Sequence, residues 1–469
     1  MPTAEELVRR IREEGFRIVD FRFTDLAGRL RHTAVDAESV DPFTLEHGLF
    51  IDGSSVPGWR DVSESDLLLR PDLATAFADP FTAQPTLVFL CDASDPTSET
   101  GYERDPRSVA RRACEHLVAR GIAELARVAP EIDFFVFDDV RIEIDATRCG
   151  VQLQASETRT AAAQSYLGGN PGHRPAPGAA YLAMPPADHL ADMRAEMANI
   201  LRQLGFSRIL HRHGRATSQC ELGFEARPLL EAADRSQIAK YVACQVAASY
   251  GKSATFLPKP LLDEPGSALR VNLSLWRGDT NLFAGGGYAD LSRTCLHFIA
   301  GVLAHVPALN AFTNPTTNSY KRLRPHSDEP VLATYAAFNR SAAIRIPFAA
   351  SGRFKRIEVR FPDPSANPYL AFAAILMAGL DGIARKLEPG DAMDRNLYDL
   401  RPEEIGDLPR AAGSLEEALA ALEADHGFLL EGEVFPASLI EGYLEVKRRE
   451  IELVERTPHP VEFQLYYGH

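Results

Sequence analysis

Residues 270–275 read Arg-Val-Asn-Leu-Ser-Leu, three polar side chains interleaved with three apolar ones. Side chains alternate across an extended strand, so Arg270, Asn272 and Ser274 share one face and Val271, Leu273 and Leu275 the other. The same rule puts both acids of Glu131-Ile132-Asp133-Phe134 on one face. It also groups Arg356, Glu358 and Arg360 within Arg356-Ile357-Glu358-Val359-Arg360, and Ile344-Arg345-Ile346 adds a further arginine. Several strands therefore carry a charged face opposite an apolar one. Such alternation ordinarily marks a sheet with one solvated face. Here acids and arginines are mixed on the charged face and lysines are few, which favours a polar-lined cavity holding opposite charges together.

Working outward, Thr3 to Glu6 reads as a capping box opening a helix over 4–14. Residues 17–23 alternate as a strand, Ala27-Gly28 turns the chain into 29–35, and 85–92 is another strand. Roughly the first 100 residues thus form a small α+β unit, with strands of ordinary length. The Ser-, Thr-, Pro- and Gly-rich segment 93–106 is the expected domain boundary. Helices are predicted over 108–120, 187–204, 230–249, 290–310, 367–386, 414–424 and 436–456, and a long loop over 155–180. The fold class expected is α+β.

The chain has 469 residues, with 50 Lys+Arg against 65 Asp+Glu and a net charge of −15. A protein this acidic is a poor nonspecific binder of nucleic acid or anionic membrane. Its six cysteines are scattered without a CxxC pair, which suits reduced thiols in a cytoplasmic protein. The longest apolar run, 369–380, is shorter than the ~20 residues of a membrane span. Cys220, beside Glu221, reads as an inert packed thiol. His211 and His213 share one strand face. No acid completes a three-ligand set with them in the sequence, so they are expected to face water.

Ordered motifs along the whole chain resemble the bacterial type I glutamine synthetase family. They include Asp52-Gly53-Ser54-Ser55, Pro130-Glu131, Gly168-Gly169-Asn170 with Gly172-His173-Arg174-Pro175, and Lys252 to Pro260. Asn314 to Leu323, Asn339-Arg340-Ser341, Arg356 to Pro364, Asn396 to Leu400 and His459 to Phe463 continue the series. The resemblance implies a β-grasp domain over 1–104 and a catalytic domain over 105–469 built on a half-open antiparallel barrel. It implies a cytoplasmic homo-oligomer, a dodecamer of two hexameric rings with sites between neighbouring subunits. The reaction implied is ATP-dependent ligation of ammonia to the γ-carboxylate of glutamate, with Mg or Mn as metals.

The family's roles carry over residue by residue. Asp52 corresponds to the acid that deprotonates ammonium, Asp328 to the flap glutamate, and Arg340 to a catalytic arginine. Arg322, Arg360 and Gly266 fall at substrate positions, and Arg345, Arg353, Ser274 and Asn272 at nucleotide positions. Tyr398 lies in the family's adenylylation motif. Of six metal-ligand positions, Glu131, Glu221 and Glu358 remain glutamate and Asp133 is one methylene short. Gly214 supplies no ligand, and Arg270 stands where a histidine belongs. A guanidinium has no lone pair for a metal and stays protonated. Arg270 is therefore expected to pair with the remaining carboxylates, with Arg215 doing the same beside Gly214. Three readings follow: a ligase of glutamate or a related acid with ammonia or a small amine; a metal-poor enzyme on a glutamate-like carboxylate; and a non-catalytic paralogue serving as regulator or scaffold.

Overall fold

The computed structural model describes residues 2–97, 101–165, 169–170, 172–325, 329–406 and 408–466. Asp328 and Gly168 lie outside them. The chain opens on the helix Ala4–Glu13, whose Thr3/Glu6 capping box is formed and whose Leu7, Val8 and Ile11 are buried. Six strands follow: β1 (Ile18–Thr24), β2 (Leu30–Asp36), β3 (Leu49–Asp52), β4 (Asp66–Pro71), β5 (Phe77–Ala78) and β6 (Thr86–Ser94). They form one sheet in the order β2-β1-β6-β4-β3, with β5 on β6. β1 and β6 run parallel, and this mixed sheet under a helix is the β-grasp unit expected. β3 and β4 had no clear alternation and were not anticipated.

A second sheet dominates the rest. Its strands are β7 (Leu125–Phe137), then, after the hairpin β8 (Asp139–Ile144) and β9 (Cys149–Gln154), β10 (Leu210–His213), β11 (Gln219–Gly223), β12 (Arg227–Pro228) and β13 (Ser253–Thr255). They continue with β14 (Leu269–Arg277), β15 (Thr280–Asn281), β16 (Tyr335–Ala337), β17 (Ile344–Ile346) and β18 (Ile357–Val359). The spatial order is β10-β11-β7-β14-β18-β17-β16, antiparallel throughout except between β16 and β17. The sheet curls into a half-barrel. Its apolar face, with Ile132, Phe134, Val271, Leu273 and Val359, is buried in the main core.

Helices cover that face. Leu229–Ser249 and Pro368–Arg385 lie where the sequence periodicity places them. Pro368–Arg385 is long and apolar enough to cross a membrane, yet most of it is buried inside the protein. The helix predicted over 290–310 is two helices, Arg293–Ala304 and Val306–Thr313, meeting at 76°. Pro307 supplies the reason, since proline inside a helix removes a hydrogen bond and clashes with the preceding turn. His305 occupies the break and bonds Asp425 at 2.7 Å and Asp381 at 3.0 Å.

Gly301 and Gly382 let Arg293–Ala304 and Pro368–Arg385 touch backbone to backbone. A Cβ on Gly301 would meet the Ala378 carbonyl oxygen at 2.1 Å and the Gly382 Cα at 2.7 Å. Neither atom can yield without moving a helix that carries the barrel. Gly301→Ala is therefore expected to destabilise the fold by about 1–3 kcal/mol, the usual cost of overpacking. The measurement is urea denaturation of the variant against the parent; an unchanged midpoint would contradict the close crossing.

Candidate active site

Strand register assembles the site. Arg212 of β10 stands opposite Glu221 of β11, and Glu221 opposite Asp133 of β7. Glu131, two residues before Asp133, stands opposite Arg270 of β14. Asn272 stands opposite Glu358 of β18, and Glu358 opposite Arg345 of β17. Because alternate residues share a face, this single row crosses six strands on the polar side of the half-barrel. It lines a cavity of about 550 Å³, within the range typical of small-molecule sites. Among the described residues, seven arginines and five carboxylates line that cavity.

The charges are paired in detail. Arg270 Nη1 lies 3.1 Å from Glu221 and 3.5 Å from Glu131, and Nη2 lies 3.4 Å from Asp133. Arg212 forms a close ion pair with Glu221 and reaches Glu131 at 3.6 Å, while its guanidinium lies over the Tyr181 ring. Glu358 accepts from Arg345 at 2.7 Å and pairs closely with Arg360. Asn272 donates to Glu131 at 3.1 Å and accepts from Arg356 at 3.0 Å.

Burial acts on the four acids of this row, with different outcomes. Burial pushes Asp133 up to about 7, although Arg270 pulls it back. Its Oδ2 accepts the Ala268 amide at 3.0 Å, but its buried Oδ1 has no hydrogen-bond partner among the described residues. Burial also raises Glu131. It would raise Glu221 and Glu358 too, but the guanidinium groups outweigh it and hold both below the usual carboxylate range.

Among the residues anticipated from sequence, Arg340, Arg345, Arg360 and Gly266 line the cavity with Glu131, Asp133, Glu221 and Glu358. Arg322 is buried behind it. Its guanidinium donates to the carbonyls of Phe361 and Pro362 and to Glu329, a cavity acid, at 2.6 Å. Asn272 is turned into the Glu131–Arg356 network, and the Ser274 hydroxyl accepts from the Trp276 indole at 2.9 Å. Arg353 is exposed on the turn Gly352–Phe354. Asp52 is exposed at the end of β3, held below its usual range by the Ser54 and Ser55 hydroxyls, and does not line its own chain's cavity. Tyr398 is half-buried and donates to the Arg340 carbonyl at 3.3 Å. Cys220 is buried, and burial pushes its thiol up to about 12, as an inert residue requires.

A second guanidinium on the acids is Arg212, on the mixed strand His211-Arg212-His213, and Arg215 also lines the cavity. One expectation is corrected: His211 and His213 do not both face water. His211 is exposed, but His213 is buried and bonds Glu157 at 2.9 Å, with Asp188 close enough that one ligand atom from each lies within 4.8 Å of the others. Glu157 comes from the distant loop, so sequence spacing gave no hint of it. All three are already occupied: Glu157 also accepts the amides of His189 and Ser218, and Asp188 holds Arg194.

The main acid cluster does not fit the pair of divalent metals that the resemblance implies. Arg270 stands among three of the carboxylates, and Arg345 and Arg360 occupy the fourth. A divalent ion about 4 Å from a guanidinium is repelled by roughly 8 kcal/mol at an effective dielectric near 20. Position 214 is closed as well. A Cβ there would meet Gln219 Oε1 at 2.5 Å, and Gln219 is pinned by the Ala216 amide at 3.1 Å and the Gly266 carbonyl at 2.8 Å.

Comparison with known proteins gives concordant matches. The glutamine synthetase β-grasp family model matches residues 15–96, and the glutamine synthetase catalytic-domain model matches 103–466. A glutamine synthetase of Rhizobium meliloti is 50% identical over 468 residues, covering 100% of both chains. That of Escherichia coli K12 is 47% identical over 467 residues, covering 99% of this chain and 100% of its own. Among solved structures, a Plasmodium falciparum glutamine synthetase has a TM-score of 0.90 at 26% identity, covering 100% of each chain. A ligand-free GmaS has a TM-score of 0.82 at 27% identity, covering 99% of each.

The raised Asp133 has a pH consequence. Its folded carboxyl binds a proton more readily than the unfolded one, so its contribution is full below pH 3.8 and is lost as pH rises through about 7. Asp133→Asn removes that dependence. Between pH 5 and 7 the decline in unfolding free energy is expected to flatten by up to about 1.4 kcal/mol per pH unit, measured by urea denaturation. Parallel curves for parent and variant would show that Asp133 is ionised throughout.

Proposed function

Because the chain belongs to the glutamine synthetase family, we propose that it is a carbon–nitrogen ligase joining ammonia or a small amine to the side-chain carboxylate of glutamate or a related acid. The observation that carries this reading is the excess of arginine over carboxylate in the cavity of a chain whose net charge is −15. An acidic ligand is drawn to a cationic pocket and recognised by guanidinium forks. Arg340 has no carboxylate partner among the described residues, and its side chain is the first contact assigned to the ligand.

In the proposed reaction a ligand carboxylate oxygen attacks the γ-phosphorus of ATP and ADP departs. Ammonium gives up one proton, the resulting ammonia attacks the acyl carbon, and phosphate leaves with the bonding electrons and takes up the second proton that the nitrogen sheds. Both steps build negative charge on oxygens, which fixed cations stabilise without reorganising. Asp52 is the proposed proton acceptor. It is exposed and ionised at neutral pH, and its absence from its own chain's cavity supports a cavity completed by a neighbouring subunit in a cytoplasmic homo-oligomeric ring. The dodecamer of two hexamers implied by the family is the proposed form.

A second reading rests on Asn272, Ser274 and Arg353. The first two bond within the protein and the third points to solvent, so none is presented as a nucleotide contact. In that reading the chain binds the acid but does not use ATP. Calorimetric titration with L-glutamate, followed by a phosphate-release assay with ATP and ammonium, separates the two. Ligation predicts heat from glutamate and phosphate release that falls by about 100-fold or more in Asp52→Ala, with glutamate affinity retained. Glutamate binding without phosphate release supports the second reading. The absence of glutamate binding refutes the assignment of the acid.

A further inference from the structure

We propose that Arg270 is a tethered cation that takes the place of a divalent metal, so that the centre formed by Glu131, Asp133 and Glu221 works without metal. The inference deepens the ligase reading by assigning how that site manages charge. Three independent observations converge on it. The Arg270 guanidinium lies 3.1–3.5 Å from one oxygen of each acid, so one group addresses all three. A second guanidinium, Arg212, meets the same Glu221 oxygen as Arg270 and approaches the same Glu131 oxygen. The sixth ligand position is not merely missing: Gln219 fills the space that a side chain at Gly214 would need.

The fourth acid completes the pattern. Glu358 is held between Arg345 and Arg360, on the opposite flank of the row. A divalent ion entering anywhere along this face would have to expel a guanidinium that is covalently attached and cannot lose its proton. The consequence for the ligand is direct. An acid such as glutamate would meet positive charge supplied by the chain itself, and its binding would not require Mg or Mn.

The test uses the full-length chain. Metal content is measured by mass spectrometry after purification, and Mn binding by titration followed with electron paramagnetic resonance. The parent is expected to carry no stoichiometric Mg or Mn and to leave added Mn in its free-ion spectrum. Arg270→His and Arg270→Ala are expected to bind Mn at least tenfold more tightly than the parent, with circular dichroism confirming the fold. Stoichiometric tight metal in the parent overturns the inference. So does a pair of folded variants with no gain in Mn affinity. Should neither variant fold, the parent's own metal content and titration decide.

A glutamate titration in excess EDTA keeps this inference separate from the function on which it rests. Heat that persists in EDTA supports the tethered cation, whereas heat that appears only with Mn present overturns it and leaves the acid-binding reading intact. A parent that binds neither Mn nor glutamate retains the arginine centre and loses the glutamate assignment.

Discussion

Three carboxylates on neighbouring strands need a cation between them, and in this protein Arg270 is that cation. Glu131, Asp133 and Glu221 are brought together by the registers of β7, β11 and β14, not by flexible side chains that could swing apart. Buried like charges at such distances destabilise one another, and withdrawing the single partner of a buried charge is far costlier than exchanging a well-packed neutral group. The row continues outward on the same logic. Arg212 balances Glu221 on one flank, while Arg345 and Arg360 balance Glu358 on the other. A one-residue slip at any of these strands would turn charge into the core and apolar groups into the cavity.

The apolar reverse of the sheet gives that row its rigidity. Ile132, Phe134, Val271 and Leu273 are buried, so the backbone that carries the charged face is anchored by packing. The helices behind it meet at Gly301 and Gly382 with no room for a methyl group. Side-chain bonds fix the cavity wall further: Gln219 bridges the Ala216 amide and the Gly266 carbonyl, and Arg322 ties Glu329 to the carbonyls that follow Arg360. The arginines are thereby presented in fixed positions, which is what electrostatic preorganisation requires.

The charged face itself was legible in the sequence, because period-two alternation in 131–134, 270–275 and 356–360 depends only on local geometry. Arg270 as a cation among acids was legible too, since its chemistry forbids metal ligation wherever it points. What the sequence hid were partners fixed by long-range topology. Arg212 finds Glu221 only through the β10–β11 register, and His213 finds Glu157 from a loop 56 residues away. Asn272 and Ser274 share the face of Arg270, yet their bonds to Arg356 and Trp276 turn on side-chain reach, which alternation does not specify. The bend at His305 follows from Pro307, although apolar periodicity continues on both sides of it.

A centre built from attached cations differs in kind from one that recruits ions. Its charge does not depend on metal supply, and the guanidinium groups do not titrate in any ordinary pH range. The acids alone are left to respond to protons. Glu221 and Glu358 are held ionised by their arginines, so that response falls to Glu131 and Asp133, both raised by burial, and the Asp133 Oδ1 is buried without a hydrogen-bond partner among the described residues. Protonating Asp133 releases part of Arg270's charge from its internal partners, and the cavity becomes more cationic without any ion entering. Arginine therefore separates two properties that a metal site joins: the strength of the positive field, which the chain fixes, and its adjustment, which the raised carboxyls perform.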